Sequence, residues 1–211
     1  MRWVFYGIGV VSLSLGIILT SKSDLGVSPI ISIAYASSVS GGFDFGNASF
    51  VMYIVMAVVE YILKGRNFKI YDLLQLPLAF LMSRLFDLFG EYLPDASLVP
   101  ERILFLALGI IFTGTGAAMM LNCRLVPNPA DGLVQALSDL TGKPLGLIKN
   151  FFDITCVAIT AAVGYIFTGG FPGLGIGTIA SMIFVGRVIA LYNHMFMDRM
   201  LAVTGLADRS E

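Results

Sequence analysis

The sequence predicts an all-α membrane protein, and three observations carry that reading: composition, the length of the apolar runs, and an internal repeat. Of 211 residues, 57% are apolar and 13% charged, with a mean hydropathy of +0.86. A soluble domain of this size has no use for so much apolar surface. The apolar residues fall into runs near the roughly 20 residues that an α-helix needs to cross about 30 Å of hydrocarbon. Long unbroken runs are not the alternating pattern of a membrane barrel. The third observation is that a shift of 100 positions lays one half of the chain on the other without a gap.

Taken in order, the runs between polar punctuation give six full-length helices at about 3–21, 46–63, 70–90, 102–121, 145–167 and 174–197. The first has Arg2 ahead of it, lacks a small-x-small cleavage site and leads straight into more apolar segments, so it reads as a span and not a signal peptide. Two shorter helices remain, Pro29–Ser40 and Pro129–Leu140, each about 12 residues and too short to span. Ser28 and Asn128 stand just before them, and an N-cap residue followed by proline at the first helical position is a helix-start signal.

The residues that match at the offset of 100 are those that dictate backbone shape: Gly9/Gly109, Gly16/Gly116, Pro29/Pro129, Gly42/Gly142 and Gly46/Gly146. After Tyr61 the register slips by a few residues and brings Ser83-Arg84-Leu85 opposite Gly186-Arg187-Val188. Each half, 1–98 and 99–211, therefore reads span, short helix, span, span. The basic residues decide how the halves are oriented. If the short helices are re-entrant half-helices, Arg2, Lys64, Arg66, Lys69, Arg124, Lys143, Lys149, Arg199 and Arg209 gather on one side, leaving Lys22 and Arg102 on the other. If the short helices cross, the basic residues divide about evenly. The positive-inside rule selects the first arrangement, two inverted-topology repeats with both termini cytoplasmic.

Several function classes recede on composition. The formal net charge of −1, from 13 basic and 14 acidic residues, lacks the excess expected of a nucleic-acid binder. Cys123 and Cys156 are too few for a disulfide scaffold, and no His/Cys cluster suggests a metal or other cofactor. No nucleophile with its base suggests an enzyme. The glycine-rich Thr168–Gly177 reads as a connector or a gate, since a nucleotide fingerprint needs a strand before it.

With inverted halves, the N-termini of both half-helices meet near the midplane, where free N–H groups and positive helix ends favour an anionic or strongly hydrogen-bonding solute. The expected binding residues are Ser28, Pro29, Asn128 and Pro129, with Arg84 and Arg187 as a repeat-related guanidinium clamp. The competing reading pairs Arg84 with Asp87 three residues on, and Arg187 with Asp131 or Asp153. Asp131 joins the site or merely sweetens its own helix N-terminus. Asp153 is a candidate proton carrier or the ion partner of Arg187 or Lys149. Gly7, Gly9, Ser12, Ser14 and Gly16, with Gly109, Thr113, Gly114 and Gly116, suit close helix contact within the bundle or across a homodimer.

Leu25-Gly26-x-x-Pro29, the later Gly46, the short repeat and the overall length resemble the YczE/YyaS/YitT-like group of small bacterial integral membrane proteins, over nearly the whole chain. The resemblance implies this architecture and a bacterial inner membrane; it implies no substrate and no functional residues. The function expected is a secondary transporter of a small solute. A passive channel on the same scaffold, and a membrane enzyme or non-transporting accessory protein, are the rival readings.

Overall fold

A computed structural model describes residues 1–205; Arg209, counted above among the basic residues of one side, lies outside them. The described chain forms eight α-helices and no strand: α1 Arg2–Lys22, α2 Pro29–Gly41, α3 Phe45–Lys64, α4 Gln75–Tyr92, α5 Val99–Asn122, α6 Pro129–Thr141, α7 Leu145–Thr168 and α8 Ile176–Thr204. Six of these, all but α2 and α6, are long and apolar enough to cross a membrane, α3 and α4 when counted with their flanking 3₁₀ turns. The two others have 13 residues each.

Differences from the expected boundaries have local causes. The segment read as a helix from 70 begins as a 3₁₀ turn, Ile70–Leu74, and becomes α-helical only at Gln75. Pro77 explains this, because it has no N–H to give to residue 73, and proline is tolerated in a first turn where that donor is spare. Pro100 likewise sits in the first turn of α5, which starts three residues earlier than the apolar run suggests. At the other end α8 runs past Asp198 and Arg199 to a left-handed cap at Gly205, φ 71°. Hydrophobicity ends there before the helix does.

The backbone repeats in step with the sequence. Asp24 and Arg124, both non-glycine, hold positive φ of 55° and 46° at equivalent places after α1 and α5. Gly42 and Gly142 close α2 and α6 in the left-handed region, each at φ 66°. That conformation costs an L-residue with a Cβ, so glycine is the natural residue at these caps.

At the centre α1 packs antiparallel on α5 through the predicted small residues. A Cβ on Gly9 would touch the Gly116 carbonyl at 3.0 Å, and one on Gly16 would collide with Thr113 and the Gly109 carbonyl. The contact is reciprocal: 9 meets 116 and 16 meets 109. Around this pair α2 packs on α7 and α6 on α3, so each half lends its short helix to the other half. The core holds Ile31, Met82 and Phe86, all at most 2% exposed. Val51, Val55, Ile62, Ile154, Ile166 and Phe167 point outward and are exposed. An apolar outer face is what lipid, not water, would wet.

The two ends of the bundle are tied separately. At one end Arg2 donates from Nε to the Cys123 carbonyl at 2.7 Å and from Nη2 to the Arg124 carbonyl at 2.6 Å. At the other, Lys22 pairs with Asp95 at 2.9 Å and Arg102 with Asp24 at 3.1 Å. The Ala96 N–H also donates to the Lys22 carbonyl at 3.1 Å.

Candidate functional site

The starts of both short helices line one cavity of about 350 Å³. Ser28 and Ile31 come from the entry to α2, Asn128 and Asp131 from the entry to α6. Both helix starts are set by proline, and Pro29 and Pro129 are themselves packed fully inside, behind the cavity surface. Tyr53 of α3, Thr113 of α5, Arg124 and Lys149 of α7 add polar groups, while Leu13, Ile17, Met120, Val185 and Ile189 make an apolar wall. A mainly apolar pocket with a few convergent polar groups is the usual form of a small-molecule site.

The two helix starts are not equivalent in chemistry. Asn128 caps α6 itself: its Oδ1 accepts from the Asp131 N–H at 3.0 Å, and its Nδ2 donates to the Asp131 carboxylate at 2.6 Å. The N-terminus of α6 is therefore already met by a carboxyl group of its own first turn. Ser28 makes no side-chain cap and the first turn of α2 holds no acid, so the positive end of that helix stays open towards the cavity. Thr113 Oγ1 is buried without a hydrogen-bond partner in the same lining. An anionic or hydrogen-bonding group fits the α2 side; Asp131 offers an acceptor or a counter-charge on the other.

The remaining expected site residues lie elsewhere. Arg84 is exposed, pairs with Asp87 at 3.1 Å, donates to Asn47 Oδ1 at 2.5 Å and sits over the Phe80 ring. Arg187 is exposed and sits 5.4 Å over the Phe184 ring. Neither lines the cavity, so the guanidinium clamp is not formed, and for Arg84 the pairing with Asp87 holds instead. The reason is helical phase: Val185 and Ile189 face the cavity, and Arg187 is about 200° around α8 from each at roughly 100° per residue. Asp153 is buried beside Lys149, Nζ to Oδ1 3.7 Å, behind the lining rather than in it. Tyr53, Thr113, Arg124 and Lys149 were not singled out for this cavity in the sequence.

A second cavity, about 610 Å³, opens at the end marked by Lys22 and Asp95 and is lined by Ser21, Tyr35, Asp44, Phe45, Phe86 and Asp87 among others. Its lining matches that of the first cavity through the repeat: Ser21/Leu121, Tyr35/Gln135 and Phe45/Leu145 at the offset of 100, and Phe86/Ile189 after the register slip. Here Tyr35, Phe45 and Phe86 pack in series, the first pair edge to face and the second tilted, with centroids 6.0 and 5.6 Å apart.

The sequence profile of a family described as "Family of unknown function (DUF6198)" matches residues 1–194. The chain belongs to this family. Among similar proteins of Bacillus subtilis, this DUF6198 member is 30% identical over 202 residues to the uncharacterized protein YyaS, covering 93% of the chain and 92% of the relative. It is 27% identical over 190 residues to the uncharacterized membrane protein YczE, covering 90% and 84%. A protein of Haemophilus influenzae is 21% identical over 189 residues, covering 90% and 81%. No solved structure matches the DUF6198 member. The YczE/YyaS-like resemblance read from the motifs is thus shown, and the chain is a multi-pass helical membrane protein.

Proposed function

We propose that this protein is a secondary transporter of the bacterial inner membrane, carrying a small anionic or strongly hydrogen-bonding solute by alternating access of two inverted repeats. The observation that carries the reading is the convergence of Ser28 and Asn128 on one cavity within a bundle of six membrane-length helices. Non-helical backbone at membrane depth is tolerated where it lines a cavity or is buried in protein, and helix starts aimed at a shared site recur in transporters.

Inversion draws support from the reciprocal contact of α1 and α5. Antiparallel helices meeting as 9 with 116 and 16 with 109 imply a twofold axis across them, which lies in the membrane plane when they span. Re-entry of α2 draws support from the second cavity, where the end of α1, the start of α3 and the end of α4 lie together through Lys22, Asp44 and Asp87. A short helix between two ends on one side has gone in and come back. With both termini cytoplasmic, the first cavity, carrying Arg124 and Lys149, faces inward, and the aromatic series of the second closes the outer path. Carrier activity, and not chemical conversion, is the work that this arrangement suits.

The test is solute-dependent stability followed by exchange. Purified protein is melted against organic anions, zwitterions and neutral solutes, since a ligand held only by the folded state raises Tm. A hit should drive counterflow in proteoliposomes, where an opposing gradient accelerates uptake. Ser28→Trp should remove both effects and Val39→Trp, on the exposed side of α2, should keep them. Uptake without counterflow would make the protein a channel; a hit indifferent to Ser28→Trp would move the site elsewhere.

A further inference from the structure

Glu60 of α3 is a membrane-segment carboxylate with no exposure at all, one turn before the helix ends. Lys64, a turn further on, reaches its Oε1 at 2.5 Å, and Gln75 of α4 donates from Nε2 to the same oxygen at 3.2 Å. The other carboxylate oxygen, Oε2, is buried with no partner, and so is Oε1 of Gln75, which is 1% exposed as a residue. Both look onto Gly132 of α6: a Cβ there would stand 2.6 Å from Glu60 Oε2 and 2.9 Å from Gln75 Oε1. Gln75 Nε2 stands 3.0 Å from the same point but donates to Glu60 Oε1, so the second carboxylate oxygen and the amide oxygen are both left without a donor. Turning the carboxamide over does not cure this, because it sets the carbonyl against the other carboxylate oxygen. A carboxylate beside a carboxamide closes a complete pair of hydrogen bonds only when it carries a proton, and otherwise invites a cation.

Charge points the same way. Lys64 Nζ is also 3.2 Å from Asp72 Oδ2 in the turn before α4, so one ammonium serves two carboxylates and the cluster is short of one positive charge. The charged groups around Glu60 are these: Lys64 on its own helix and Asp72 in the turn. From α4 comes the neutral Gln75, and from α6 the glycine, whose neighbour Asp131 is engaged with Asn128. The repeat shows that the fold does not require a charge here. At the equivalent junction between α2 and α7, Ser32 and Thr160 stand for Gly132 and Glu60, and their hydroxyls meet at 2.7 Å with both groups satisfied. The same helix crossing is closed by neutral groups in one half and left acidic, with two acceptors unpaired, in the other.

We propose that Glu60 and Gln75, opened towards Gly132, form a binding site for one exchangeable monovalent cation, either a proton on Glu60 Oε2 shared with Gln75 Oε1 or a Na⁺ between the two oxygens. The site lies on the same face of α3 as Tyr53, seven residues or about 10 Å along the helix, and Gly132 follows Asp131 of the solute cavity. Its use as a coupling site rests on the transporter reading; its existence as a cation site does not.

The experiment needs no solute. Thermal unfolding of the purified full chain is followed while NaCl replaces choline chloride at constant ionic strength, across mildly acidic to mildly alkaline pH. A Na⁺ site raises Tm with Na⁺, by roughly 5–10 °C at a hundredfold excess over Kd, most strongly where protons compete least. A proton site gives instead a Tm that falls as pH rises and ignores Na⁺. Either dependence should vanish in Glu60→Gln and in Gly132→Ala, whose methyl fills the site with the carboxylate intact, and persist in Asp153→Asn. A wild-type protein indifferent to both cations, or a Glu60→Gln protein as sensitive as wild type, would overturn the proposal, whatever becomes of transport.

Discussion

Lys149 and Arg187 are both basic, and both sit on membrane-length helices of the second half, yet only Lys149 reaches the cavity. Equivalence within the repeat assigns Arg84 and Arg187 the same place in their halves, but it says nothing about which way that place faces. Phase along α8 does, once Val185 and Ile189 are known to line the cavity, and no sequence pattern announces those two. The helix starts were easier to read, because Ser28-Pro29 and Asn128-Pro129 fix a local conformation whatever surrounds them. Glu60, though an ionisable residue inside a span, was not singled out in the sequence, and its partners come from α4 and α6, which spacing on α3 cannot reveal. The geometry leads to a prediction at this scale. A hydrogen bond to a charged group is worth about 1.5–3 kcal/mol, so Lys149→Gln should weaken solute binding roughly tenfold to a hundredfold. Arg187→Gln should leave it within about twofold. Because Lys149→Gln strands the Asp153 carboxylate, the double variant with Asp153→Asn is measured beside it; normal affinity in that double variant would remove Lys149 from the site.

Element boundaries followed apolar runs to within one or two residues at most ends, and drifted at the starts of α4 and α5 and at the end of α8. Gly42, Gly142 and the paired prolines mark their helix ends by backbone geometry alone. The start of α4 and the end of α8 depend on a missing donor at Pro77 and on a helix that outlasts its hydrophobic stretch. The small residues of α1 and α5 were readable as a close-contact face; that this face is used between the two halves of one chain was not, since an inner seam and a homodimer need the same residues. The central crossing gives a direct test. Adding a methyl at Gly16 forces it into Thr113 and the Gly109 carbonyl, backbone that cannot swing aside, whereas nothing lies within 4 Å of a Cβ on Gly7. Gly16→Ala should cost about 1–3 kcal/mol by overpacking, and Gly7→Ala should stay within about 0.5 kcal/mol, both read from denaturant unfolding of the purified protein. Equal stability of the two variants would mean that α1 and α5 do not meet as described.

At the scale of the whole molecule, the offset of 100 is visible in the sequence because glycine and proline cannot be exchanged freely at caps and turns. The exchange of short helices between halves, α2 onto α7 and α6 onto α3, is not visible, since apolar surfaces carry no address. Orientation in the membrane follows from where the chain turns, and the labelling of three exposed positions tests it. Lys69 follows α3, Ser97 follows α4, and Lys143 follows α6. If α2 and α6 are half-helices, the halves run in opposite senses, and Lys69 and Lys143 come out on the same, cytoplasmic side with Ser97 outside. If instead both short helices cross, each half has four passages; Lys69 moves to the outside while Lys143 stays in, and Ser97 changes sides too. Single cysteines at these positions can be compared in intact cells with a membrane-impermeant thiol reagent, against little background, because Cys123 and Cys156 are buried. Labelling of Ser97→Cys alone from outside is the expected result. Labelling of Lys69→Cys from outside with Lys143→Cys protected would end the inverted reading, and with it the argument that two helix starts share one solute path, because α2 and α6 would then begin at the same membrane surface instead of meeting in the middle.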